Sequence, residues 1–70
     1  MTPEEAASEF DACARELDQA ISHYRSVAAH FRQREIPRAC AHVCAAQGHI
    51  QAAQKRYENW LVAHSRHSEP

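Results

Sequence analysis

Apolar residues recur at every seventh position along most of the chain, in two blocks that are separated by Pro37. In the first block, one line of positions holds Phe10, Leu17, Tyr24 and Phe31, and a second line holds Ala6, Cys13, Ala20 and Val27. In the second block, the two lines hold Ile36, Val43, Ile50, Tyr57 and His64, and Ala39, Ala46, Ala53 and Trp60. A seven-residue apolar repeat that lasts about four heptads predicts long helices that pack as a left-handed coiled coil.

Local signals set the bounds of the two helices. Thr2 is a capping residue, Pro3 suits the first helical position, and Glu5 stands where a capping box needs it. Pro37 prevents a straight continuation of the first helix and disfavours a helical Ile36. We therefore predict one all-α domain over residues 1–70, with a helix at 3–34, a turn at 35–36, a helix at 37–66 and a frayed tail at 67–70. Each helix is then about 45 Å long.

A tight turn makes the two helices antiparallel neighbours. If the hairpin folds about Glu35, partners across the seam have residue numbers that sum to 70, which gives layers such as Phe31/Ala39, Cys13/Tyr57 and Phe10/Trp60. Most of these layers pair a small side chain with a large one, as an interdigitating core requires. The fold prediction is an antiparallel two-helix hairpin with coiled-coil packing.

The two flanks of this seam differ in polarity. One flank brings together the pairs Glu16/Arg56, His23/His49 and His30/His42. The other flank is mostly small and apolar, and a hairpin alone cannot cover it, which is typical of a helix in a multi-helix bundle. A homodimeric four-helix bundle is the simplest assembly that would cover it. The residues expected in this self-association interface are Ala7, Ala14, Ile21, Ala28, Cys40 and Leu61.

Charge and cysteine usage narrow the class of protein. The net charge is −1, which gives no general attraction to nucleic acid or to an anionic membrane. Acidic residues lie in the first half of the first helix and basic residues at its end, so two antiparallel copies of that helix are complementary. Three cysteines, an odd number, favour a reducing compartment. With no signal peptide and no apolar span, the expected location is the cytoplasm.

Six histidines among 70 residues are the first candidates for chemistry. Four of them, His23, His30, His42 and His49, line the polar flank as two facing pairs, and such pairs could bind Zn²⁺ or copper. Their spacing matches no metal motif, so ordinary flank packing is the favoured interpretation and no cofactor is predicted. A milder hypothesis is that protonation of both members of a pair loosens the bundle below about pH 6.

Arginines cluster near the turn, at Arg25, Arg32, Arg34 and Arg38. In size and outline the hairpin resembles the small dimeric four-helix RNA-binding proteins of plasmid copy-number control, without a shared motif. That likeness implies an RNA-binding regulator as an alternative function, with these arginines as the nucleic-acid patch. The competing interpretation is a solvated helix end whose charge suits the helix dipole.

Small residues form a ridge on the second helix, at Ala41, Cys44, Ala45, Gly48 and Ala52. Such a ridge allows another helix to approach closely, and it is the predicted partner interface. Gly48 also raises a rival fold, because Ala41, Gly48, Ile50, Ala53 and Tyr57 have spacings that resemble one tetratricopeptide repeat, which implies a helix break at Gly48. The unbroken seven-residue phase from Val43 to Ile50 favours the continuous helix.

These observations predict a non-catalytic protein-interaction module. Two helices provide no cleft in which a cysteine could be activated, so the thiols are expected to be inert and the chain is not expected to be an enzyme. The expected roles are an adaptor, a co-chaperone or a small inhibitor or regulator of a larger cytoplasmic protein. The alternatives left open are the RNA-binding regulator and a His/Cys metal-binding bundle.

Overall fold

The computed structural model describes residues 1–68 and contains two helices, α1 (Pro3–Arg32) and α2 (Ile36–Ser68). The helices pack against each other, and the contacts of Glu9 with Arg56 and of His23 with His42 show that they run antiparallel. Residues 1–68 contain no β-strand. The predicted all-α helical hairpin is therefore confirmed. Its Cα atoms span 57 × 18 × 11 Å, the dimensions of a plate two helices wide.

The start of α1 has the capping box that its sequence predicts. The Thr2 hydroxyl accepts a hydrogen bond from the Glu5 backbone N–H at 3.1 Å, and the Glu5 carboxylate accepts one from the Thr2 backbone N–H at 3.0 Å. The hydrogen bond from the Thr2 backbone N–H, followed by that with the Thr2 side chain, lowers the pKa of Glu5. The box stabilises this end because it satisfies two backbone N–H groups that have no partner within the helix.

The turn lies earlier than predicted, since α1 ends at Arg32 rather than at residue 34. The Arg34 N–H donates to the Phe31 carbonyl at 3.0 Å and the Glu35 N–H to the His30 carbonyl at 2.8 Å, which is the Schellman pattern. That pattern needs a left-handed residue, and Arg34 supplies it with φ of 61°. The chain therefore reverses around residues 33–35.

α2 begins at Ile36, so the expectation that Pro37 would keep Ile36 out of the helix was wrong. The Glu35 carbonyl accepts the first helical hydrogen bond, from the Ala39 N–H at 3.0 Å. Pro37 therefore stands in the first turn, where its missing N–H would have no helical partner. At the other end, α2 continues to Ser68. Residues 69–70 of the predicted tail lie outside the described residues.

The register across the seam differs from the predicted one. The Cys13 thiol donates to the Ala53 carbonyl at 3.5 Å, and the rings of Phe10 and Tyr57 lie 6.4 Å apart, so seam partners sum to 66 or 67 rather than 70. Of the predicted layers, the Phe10/Trp60 contact is present, with ring centroids 5.4 Å apart. Because the two helices are offset by this amount, the small line of α1 faces the small line of α2 instead of the large one.

The centre of the hairpin is consequently built from alanines and one cysteine. The buried apolar residues are Ala12, Cys13, Ala20, Ala39, Ala46 and Ala53. The large seam residues, which were predicted to fill the core, are half-exposed instead: Phe10 is 42% exposed and Tyr24 is 49% exposed. A seam of small side chains lets two backbones approach closely, and large side chains beside it are then pushed outward. An aromatic cluster of Phe10, Tyr57 and Trp60 packs at the open end.

α2 passes through Gly48 without interruption. The tetratricopeptide-like alternative, which required a helix break at this residue, was therefore wrong. The Gly48 φ is not positive, and a methyl group added to it would meet no atom of the chain within 4 Å. Neither backbone geometry nor packing inside the hairpin requires glycine here.

Candidate functional site

One side of the hairpin carries an apolar face that extends along both helices. Beside the small seam, nine large apolar side chains are each 40–49% exposed. They are Phe10, Leu17, Ile21, Tyr24, Phe31, Ile36, Val43, Tyr57 and Leu61. The seven-residue spacing keeps them on neighbouring lines of the two helix surfaces, away from the histidine flank. We call these nine residues the apolar face.

A groove of about 430 Å³ lies between the helices on the apolar face. It is lined by Phe10, Cys13, Leu17, Ile50, Ala53, Gln54 and Tyr57. The buried Cys13 thiol at its floor donates to the Ala53 carbonyl, so the thiol is occupied in a structural hydrogen bond. The groove is shaped and lined for apolar side chains.

The predicted self-association residues lie along the edges of this face. Ala7, Ala14, Ile21, Cys40 and Leu61 are exposed, and Ala28 is half-buried. The prediction missed the wider extent of the face, because it placed the large seam residues in a closed core. The sequence did contain a signal for this, because the two lines of α1 differ in side-chain size. The small line can approach another helix more closely than the large line; the small line is Ala6, Cys13, Ala20 and Val27, and the large line is Phe10, Leu17, Tyr24 and Phe31.

The opposite flank carries a continuous polar ladder that joins α1 to α2. The predicted histidine pairs are confirmed, with ring centroids of His23 and His49 5.5 Å apart and those of His30 and His42 5.2 Å apart. In addition, one Nδ1–H of the His23/His42 pair donates to the other Nδ1 at 2.8 Å. A carboxylate stands at each end, with Glu16 accepting from His49 at 2.7 Å and Glu35 lying 3.4 Å from His30.

This ladder uses polar groups in pairs rather than gathering them around a point. Within residues 1–68, no group of three or more His, Cys, Asp or Glu side chains is arranged to hold a metal ion. The His23/His42 hydrogen bond requires one of the two Nδ1 atoms to be unprotonated. If both rings were protonated, repulsion would replace that bond. The predicted pH sensitivity of the histidine pairs stays a prediction. The contacts of the ladder link α1 to α2.

Charged pairs extend the ladder, but not as predicted. Arg56 contacts Glu9 at 3.1 Å, whereas Glu16 contacts His49. The predicted Glu16/Arg56 pair was therefore wrong, because Glu16 contacts the flank residue of α2 that lies seven positions, about two turns, before Arg56. At the turn, Arg38 donates to Glu35 at 2.8 Å. The charges on this flank are satisfied within the chain.

The arginine cluster is spread over three structural positions. Arg34 occupies the turn, Arg38 lies in the first turn of α2 and is bound to Glu35, and Arg32 ends α1. Arg25 lies two turns earlier on α1, about 10 Å from Arg32 along the helix axis. Four exposed arginines are thus near one end of the plate, and one of them is neutralised by a carboxylate.

The small-residue ridge of α2 lies on a different side from the apolar face. Ala41, Cys44 and Gly48 are exposed, while Ala45 and Ala52 are half-buried. Ala52 borders a depression that it shares with Glu9 and Glu16 of α1. The ridge is therefore partly covered along the edge of the polar flank, and its role as a partner interface stays a prediction.

Neither helix, over the described residues 1–68, has a stretch long and apolar enough to cross a membrane. Comparison of the chain with protein-family models, with curated proteins and with solved structures finds no match.

Proposed function

We propose that this chain is a non-catalytic protein–protein interaction module that acts by helix packing, in the role of an adaptor, a co-chaperone or a small regulator of a larger cytoplasmic protein. The observation that carries the proposal is the apolar face, on which nine large side chains are each 40–49% exposed. Contiguous apolar patches beyond a few hundred Å² are rare on monomers and typically mark interaction sites.

The size of the face supports this role. If each of the nine side chains has on the order of 150–250 Å² of accessible surface when extended, and a little under half of it is exposed, the exposed part sums to roughly 600–1,000 Å². That is about the area each partner contributes to a stable protein–protein interface. The hairpin core, in contrast, consists of small residues, which provide little hydrophobic stabilisation. Covering the face would therefore supply a large part of the stability of the assembled protein.

The assembly that we propose is a dimeric four-helix bundle with coiled-coil packing. In such a bundle the apolar faces of two plates meet, and the histidine flanks remain at the outside. The cytoplasmic location is part of the proposal, and the three free thiols, two of them exposed, fit a reducing compartment.

Ile21→Glu tests the proposal, because Ile21 is 47% exposed and lies in the interior of α1, far from both helix ends. We expect the wild-type chain to have a solution mass of about 16 kDa, twice the 7.9 kDa of one chain, by light scattering at several concentrations. The variant should be monomeric and should unfold at a lower temperature, since a carboxylate in an apolar interface is strongly unfavourable.

Ser22→Glu is the matched control, since Ser22 is exposed on the neighbouring position but is directed away from the apolar face. It introduces the same charge and should leave mass and melting temperature close to those of the wild type. If Ile21→Glu behaves like Ser22→Glu, the apolar face is not the docking surface and the proposal fails.

A further inference from the structure

Four charged residues run along the outer edge of the apolar face on α1. Asp11, Asp18, Arg25 and Arg32 are spaced by seven, and each is three or four residues from Ala14, Ile21 or Ala28 on the helix surface. All four are exposed, and none of their side chains forms an ion pair or a hydrogen bond within residues 1–68. We call them the rim line.

On the opposite flank, the acidic side chains are paired. There Glu9, Glu16 and Glu35 are each bound to a basic side chain of the same chain. The hairpin thus pairs its charges where the two helices close on each other, and leaves the rim line unpaired beside the apolar face.

The order of charges on the rim line has a centre of symmetry. The midpoint between Asp18 and Arg25 and the midpoint between Asp11 and Arg32 both fall between Ile21 and Ser22. At 1.5 Å per residue, Asp18 and Arg25 lie about 5 Å on either side of that point, and the outer pair about 16 Å. Reversal of the helix about this point therefore places every acidic position opposite a basic one.

We infer that the occupant of the apolar face is a second copy of this chain, related by a two-fold axis that crosses α1 beside Ile21. This inference rests on the proposed function and specifies its partner. α1 then packs antiparallel on α1 of the second copy, with Ile21 near the axis. Asp18 faces Arg25 of the second copy and Asp11 faces Arg32 of the second copy, and the symmetry doubles each pair.

The area of the apolar face and the order of charges on the rim line both favour a second copy of the chain as the occupant. The same face supplies both sides of a two-fold interface, and its roughly 600–1,000 Å² per copy brackets the area that each partner contributes to an interface of standard size. A parallel arrangement would place aspartate against aspartate and arginine against arginine. The rim line therefore selects the antiparallel dimer, while the apolar face supplies the affinity.

Two charge-reversal variants test the orientation. The first is Arg25→Asp/Arg32→Asp, whose rim line is entirely acidic, and the second is Asp11→Arg/Asp18→Arg, whose rim line is entirely basic. Alone, each should dimerise at least about tenfold more weakly than the wild type, since four attractive contacts become repulsive. Mixed in equal amounts, the two should form a heterodimer with a Kd close to that of the wild type. Sedimentation equilibrium measures the Kd, and native mass spectrometry identifies the mixed species.

Arg15→Asp/Lys55→Asp is the control for net charge. Both residues are exposed and lie away from the face, and this change alters the charge as much as the acidic variant does. Its Kd should equal that of the wild type. In about 1 M salt, where the screening length is about 3 Å, the weakening in the two rim variants should become smaller.

The outcomes separate this inference from the proposed function. If Ile21→Glu abolishes dimers while neither rim variant weakens them, the face is correct and the two-fold orientation is wrong. If the wild-type chain is monomeric at every concentration, the second copy is excluded as the occupant, and the face would bind a different protein. If the mixture of rim variants forms no heterodimer although each alone is monomeric, the Asp–Arg pairing is refuted.

Discussion

Replacing Gly48 by alanine gives a sharp test of the fold. Gly48 stands in the interior of α2, 12 residues after its start at Ile36, and its φ is not positive. A methyl group added there meets no atom within 4 Å. Glycine in a helix interior is about 0.8–1.0 kcal/mol less favourable than alanine, because it loses more backbone entropy on folding. Since no clash offsets this gain, Gly48→Ala should stabilise the chain by about 1 kcal/mol.

Thermal unfolding followed by circular dichroism measures the effect. For a domain of this size, about 1 kcal/mol raises the melting temperature by about 4–8 °C. Ala41→Gly is the matched control, because Ala41 lies one heptad earlier on the same line of α2 and is also exposed. It should lower the melting temperature by a similar amount. All variants must be compared at one protein concentration, since the proposed dimerisation would make the melting temperature depend on that concentration.

A Gly48→Ala variant that is no more stable than the wild type would refute the reasoning. Because the chain leaves open space at this Cβ, a loss of stability would mean that a second chain approaches Gly48 in the assembly. We expect the Kd of the dimer to be unchanged, since Gly48 lies away from the apolar face. An unchanged Kd would leave the α2 ridge available to a different partner.

Arg34→Gly should stabilise the turn by about 1 kcal/mol in urea unfolding, because the left-handed conformation at φ 61° is unfavourable for a side chain and natural for glycine; an unchanged midpoint would contradict the Schellman geometry. Ala46→Leu should destabilise the hairpin by about 1–3 kcal/mol, because Ala46 is fully buried in a seam of small residues, and a stabilised variant would favour the wider, predicted register. Acidification from about pH 8 to about pH 5.5 should lower the melting temperature less in His42→Gln than in the wild type, because the variant has no second imidazole facing His23 across the 2.8 Å hydrogen bond. Equal slopes for the two proteins would contradict the assignment.

The helices, their antiparallel order and the composition of the polar flank could be predicted from sequence. Thr2 and Glu5 indicate where α1 begins, and the seven-residue repeat indicates which surface of the helix each residue lies on. The pairs His23/His49 and His30/His42 were correct even though the seam register was not. Residues on the flank interdigitate, so that His23 contacts both His42 and His49. A predicted histidine pair can therefore be correct even when the seam register is shifted by half a heptad.

The register could not be predicted, because it depends on a turn that has no sequence signal. A left-handed residue at a helix end is usually glycine or asparagine, and here it is Arg34. The prediction therefore placed the turn at residues 35–36, beside Pro37, whereas the chain reverses around residues 33–35. A shift of about two residues in the turn changes the sum of seam partners by about four. In the predicted register, large side chains of one helix face small side chains of the other. In the observed register, small side chains of both helices face each other.

This exchange links the turn to the proposed function. In the predicted register, Leu17 would lie against Ala53, and the small residue would leave room for the large one to be buried. In the observed register, the small residues face each other, so the large residues remain beside the seam and are only half covered. The hairpin then has a face that it cannot bury alone, bordered by charges that it does not pair. In the antiparallel dimer that we propose, both features would be resolved, because the apolar faces would meet and Asp18 would lie opposite Arg25. The geometry of one turn therefore accounts for why this chain would need a partner, and the order of charges on α1 accounts for why that partner would be itself.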